Sequence, residues 1–70
     1  MSTKEARRFE SARLAAREAA LRINNTYQAA DAAELAWIRA ERAKVSDSDP
    51  SPWAHLVRGH AIFCEREYAT

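Results

Sequence analysis

Positions 3–45 contain neither glycine nor proline, and alanine recurs through them at close intervals. Alanine loses no side-chain entropy on entering a helix, whereas glycine and proline most oppose one, so this stretch is committed to α-helix. Strands have no support, because no period-two run of β-branched or aromatic residues and no Asn-Gly or Asp-Gly turn is present. The first glycine is Gly59, and both prolines, Pro50 and Pro52, fall in one polar connector. The pattern predicts an all-α, three-helix protein forming a single domain over residues 1–70. Helix 1 is expected over about 3–24, helix 2 over about 26–45, a linker at 46–51 and helix 3 over about 52–68.

Local signals refine this outline. Ser2 or Thr3 starts helix 1, and Ser2 with Glu5 has the spacing of a capping box. Phe9, Ala12, Ala16, Ala20, Ile23 and Tyr27 recur at three- and four-residue steps and define one face. Carried past Ala30, that stripe runs into Glu34 and Glu41, whereas Ala29, Ala33, Ala36, Ala40 and Ala43 regroup in a new phase. The shift predicts a break within residues 24–31, with Asn25 plus Gln28 and Asp31 plus Glu34 as competing caps. An alanine stripe lets two backbones approach at the short end of the usual ~8–10 Å, which predicts a tight antiparallel, alanine-rich hairpin of helices 1 and 2. Arg39, Arg42 and Lys44 place cations at the carbonyl end of helix 2. The linker reads as stiff and extended, and Ser51 followed by Pro52 opens helix 3. That C-terminal helix carries the bulkiest face, Trp53, Leu56, Val57, His60, Phe63 or Cys64, and Tyr68, and is expected to cover the hairpin.

Two apolar stripes are left over. Leu14 and Leu21 lie away from Phe9 on helix 1, and Leu35, Ile38 and Val45 lie opposite the alanines on helix 2. A chain of 70 residues buries only about 60% of its unfolded surface. Two extra stripes are hard to hide in it, which predicts a homodimer or a protein partner on one of them. Trp37 and Trp53 are read first as large pieces of the core; if one of them is displayed as a surface anchor, it is Trp37, which interrupts the alanine face.

Several chemistries are disfavoured. The single cysteine, Cys64, excludes an intrachain disulfide and suits a reducing compartment. Residues 1–10 lack the apolar run of a signal peptide, and no run of about 20 apolar residues suits a bilayer, so a cytoplasmic location without a membrane is expected. His60 and Cys64, four apart on one face, have the geometry to offer two ligands to zinc or to pair an imidazole with a thiol. His55, Glu65 and Glu67 point elsewhere on the helical wheel, so the pair is read as core, with no metal site, no cofactor and no enzymatic activity expected.

Net charge is +1, although residues 1–22 hold six basic against three acidic groups and residues 46–70 hold two against four. The cations of helix 1 spread around it, and the spacings Glu5 to Arg8, Glu10 to Arg13 and Glu18 to Arg22 suit local ion pairs. A nucleic-acid reading would draw on Arg8, Asn25, Thr26 and Gln28.

What remains is surface complementarity. The expected function is a small protein-interaction module, an adaptor, regulator or inhibitor that occludes a partner, using Leu14, Leu21, Leu35, Trp37, Ile38 or Val45. The alternative is a small helical nucleic-acid-binding regulator. Small alanine- and arginine-rich helical proteins occur among bacterial and phage accessory factors that disable host machinery or defence, an analogy of size and composition alone.

Overall fold

The computed structural model describes residues 3–69, and these form three α-helices: Lys4–Ile23 (α1), Tyr27–Lys44 (α2) and Pro52–Tyr68 (α3). Each helix opens on a hydroxyl that satisfies a backbone N–H otherwise left without a partner. Thr3 accepts from Ala6 N at 3.0 Å and Ser51 from Ala54 N at 3.2 Å, with Pro52 at the first helical position. Ser2, the other cap candidate for α1, lies outside the described residues. Neither cap expected for α2 is used; Thr26 takes the position and accepts from Ala29 N at 3.1 Å.

A connection of only three residues, Asn24, Asn25 and Thr26, folds α1 and α2 back on each other. As α1 advances from Phe9 to Arg17, its partners on α2 step back from Trp37 to Asp31, which is antiparallel register. α3 starts beside the start of α1, where Trp53 meets Arg8 and Phe9, and packs chiefly on α2. The connector does not run extended as expected. Asp49 N donates to Ser46 O at 3.2 Å in a turn, and Arg58 Nη1 holds Ser46 O at 2.9 Å, tying the connector to α3.

Phe9, Leu35, Ile38, Val57 and Cys64 form the buried core, with Trp37, Val45, Trp53, Leu56, Ala61 and Tyr68 packed against it. Phe9 is its hub, with ring centroids 5.2 Å from Trp37, 5.6 Å from Trp53 and 5.4 Å from His60. Two expectations are corrected here. The α2 alanine stripe does not form the hairpin seam, since Ala36, Ala40 and Ala43 face solvent and Ala30, Glu34, Leu35 and Ile38 face inward. Burying a leucine or isoleucine is worth about 1.5–3 kcal/mol, far more than burying an alanine methyl, and alanine is an equally good helix former in water. The α1 stripe holds from Phe9 to Ala20 but fails beyond, leaving Ile23 and Tyr27 exposed where α1 hands over to α2. On α3 it is Cys64, not Phe63, that turns inward. No helix among the described residues is long and apolar enough to cross a membrane.

Candidate functional site

Glu34 is a fully buried carboxylate at the point where all three helices meet. The phase of α2 that buries Leu35 and Ile38 turns Glu34 inward as well, and four side chains from the other helices converge on it. From α1, Arg17 Nη1 donates to Oε1 at 2.7 Å and Arg13 Nη1 at 3.3 Å. From α3, His60 Nε2 lies 2.5 Å from Oε2, and the Cys64 thiol donates to the same oxygen at 3.6 Å. The two oxygens therefore have separate roles: Oε1 is held by cations, and Oε2 faces the imidazole and the thiol.

Electrostatics follow from this arrangement. Burial pushes the Glu34 carboxyl up, but the bonds from His60 and Arg17 and the charge of Arg13 outweigh it and hold the group below its ordinary value. Each guanidinium is shared with a second carboxylate, Arg13 with Glu10 at 2.7 Å and Arg17 with Asp31 at 2.8 Å. Burial, reinforced by the charge of Glu34, pushes the Cys64 thiol up to about 12, so it stays protonated and weakly nucleophilic at neutral pH. Among the described residues no buried side-chain nitrogen or oxygen lacks a hydrogen-bond partner.

A second feature lies on the outer side of α2 and α3. Arg39, Arg42, Arg58, Ala61, Ile62 and Glu65 line an open groove of about 550 Å³. Its floor is apolar, with Ile62 64% exposed, and its walls carry three cations against one carboxylate. The Arg39 guanidinium pairs with Glu65 at 2.6 and 2.8 Å, and Arg42 bonds Asp47 and the carbonyl of Val45, closing the end of α2.

The residues singled out from sequence scatter across this structure. His60 and Cys64 do come together, and Glu34 joins them from α2. Leu35 and Ile38 are inside the core and Val45 is packed against it, so this stripe is covered by α3 and offers no docking face. Leu14 is 43% exposed and Leu21 half-buried, which leaves that pair as the apolar side of α1. Trp37 is half-buried against Phe9 rather than displayed.

Arg8 stacks over Trp53 near the start of α1, with its guanidinium carbon 4.5 Å from the ring centroid. Asn25, Thr26 and Gln28 lie beyond the other end of that helix, roughly 25 Å away at 1.5 Å per residue, and the Thr26 hydroxyl is occupied as a cap. The four do not form one surface. Of the helix 1 ion pairs expected from spacing, Glu10 with Arg13 is made. Sequence reasoning missed Glu34, Arg13 and Arg17 as a cluster, and the groove arginines with Ile62. Comparison with protein-family models, curated proteins and solved structures finds no match.

Proposed function

We propose that this chain is a protein-interaction module whose working surface is the α2–α3 groove, and that its partner presents an acidic segment bearing one apolar anchor. The observation that carries this reading is the pairing of an exposed isoleucine with three arginines on a surface the core does not need. An aliphatic or aromatic side chain set against Ile62 and Ala61 loses its water, a gain of about 1.5–3 kcal/mol when burial is complete. Carboxylates beside the anchor find guanidinium forks whose present partners, Glu65 and Asp47, are exposed and readily exchanged. Charge complementarity of this kind chiefly sets association rate and register, while the anchor sets lifetime.

An occluding regulator or inhibitor needs no more than this. A nucleic-acid reader needs cations in a row that tracks successive phosphates, whereas the groove's arginines surround an apolar floor at Ile62, and Arg8 and Asn25 stand at opposite ends of α1.

Fluorescence anisotropy with a labelled helical peptide, one leucine flanked by glutamates, tests the proposal. Binding is expected, weakened about 10- to 100-fold by Ile62→Glu and falling moderately with salt. A neutral peptide of the same shape is expected to bind worse. Tighter binding of duplex DNA, with a log–log salt slope of about −0.9 per phosphate contacted, or indifference to Ile62→Glu, contradicts it.

A further inference from the structure

We infer that Glu34, His60 and Cys64 form a binding site for a tetrahedral divalent transition ion of the zinc type, joining α2 to α3. Oε2 of Glu34, a ring nitrogen of His60 and Sγ of Cys64 all lie within 4.8 Å of one another. One oxygen, one nitrogen and one sulfur donor is a set that zinc accepts, with bonds of about 2.0–2.3 Å and a fourth position left for water. Such bonds place tetrahedral donors about 3.4–3.7 Å apart. The Glu34 to Cys64 separation of 3.6 Å already matches, and the His60 to Glu34 contact of 2.5 Å has to open by about 1 Å. His60 has room for that movement, since its side chain is 20% exposed and borders a shallow surface depression with Phe9, Gly59 and Phe63. That depression brings the imidazole of His60, the outermost of the three donors, to the surface.

The surroundings fit a ligating carboxylate. Oε1 is fixed by Arg17 and Arg13, which orients Oε2 toward the other two donors, as outer hydrogen bonds orient metal ligands generally. Arg13, Arg17, Glu10, Asp31 and Glu34 together carry one net negative charge. A dication with a thiolate adds one positive charge and brings the cluster to zero.

Binding is a ligand exchange. The ion gives up waters, the Cys64 S–H bond breaks with its proton passing to solvent, and Nε2 of His60 gives up the hydrogen it donates to Glu34, the ring carrying its hydrogen on Nδ1 once Nε2 binds the ion. One proton leaves per ion. A helical unit of this size gains from such a staple, because its core is small and one cysteine permits no disulfide.

The test is titration of the reduced, metal-free chain with cobalt(II) at pH 8, followed by zinc. Expected are visible d–d bands of tetrahedral intensity, a near-ultraviolet thiolate-to-cobalt band, loss of both on adding zinc, and a raised Tm with zinc. Cys64→Ser is expected to abolish the near-ultraviolet band and His60→Gln to weaken binding about 10-fold or more. Far-ultraviolet circular dichroism shows whether each variant is folded, and the wild-type spectrum decides even where one is not. Absence of a thiolate band in the wild type at millimolar cobalt, or weak octahedral spectra shared by wild type and Cys64→Ser, overturns the inference. Peptide binding at the groove is a separate surface, so failure here leaves that proposal standing.

Discussion

Replacing Glu34 by alanine removes the group on which Arg13, Arg17, His60 and Cys64 converge. Deleting one partner of a buried ion pair costs about 3–5 kcal/mol, because the survivors are left uncompensated. Two features put this case at the low end. Arg17 keeps Asp31 and Arg13 keeps Glu10, and both guanidinium side chains reach the surface, at 18% and 21% exposure. The expected loss is therefore about 3 kcal/mol. A 70-residue chain has a total stability of only about 4–10 kcal/mol. Thermal melting followed by circular dichroism should show Tm falling by about 12–24 °C. Replacing Arg13, Arg17 and Glu34 together by leucine removes the charges as a set, and that variant is expected to equal or exceed the wild type. A Tm within about 4 °C of wild type for Glu34→Ala would show instead that the carboxylate is not the anchor of its neighbours.

Other outcomes follow from the same geometry. Because the folded chain holds the Glu34 carboxyl below its ordinary 4.5, the unfolded chain takes up this proton first as pH falls. The stability it contributes is therefore full well above pH 4.5 and is lost below it, and urea denaturation between pH 7 and pH 2.5 should show a shallower acid limb in Glu34→Gln than in wild type. Cys64, buried and with its thiol pushed up to about 12, should resist iodoacetamide in the native chain at pH 8 and react fully in denaturant; fast native alkylation would contradict its placement. Gly59 sits within α3 with open space around the position of a Cβ, so Gly59→Ala should stabilise by about 0.4–1 kcal/mol, seen as a higher Tm.

The helices and their starts could be read from sequence where the signal is local. Ser51 followed by Pro52 marks α3 because cap and ring act on their own turn, and the break near Asn24 appears as a change of phase. Which face of α2 is buried could not be read that way. Alanine suits both sides of a helix, so the alanines gave no vote, and the presence of Glu34 on the other stripe argued against the correct one. A carboxylate is admitted to a core only when charges from elsewhere meet it, and those are 17 and 21 positions away on α1. A signal did exist: Arg13 and Arg17 are four apart and flank Ala16 on the face of Phe9, and the stripe extended past Ala30 reaches Glu34. The α2–α3 groove left no such trace, because Arg39, Arg42, Arg58 and Ile62 become neighbours only once the connector has turned.

The central functional claim is that the groove, not the leucine side of α1, is where a partner sits. Two-dimensional amide NMR of the ¹⁵N-labelled chain, titrated with the acidic leucine-anchored peptide, reads this residue by residue. Saturable shifts are expected to concentrate at Arg39, Arg42, Arg58, Ala61, Ile62 and Glu65. Shifts gathered instead at Leu14, Leu21, Ile23 and Tyr27, or no saturable shifts at millimolar peptide, would contradict that claim.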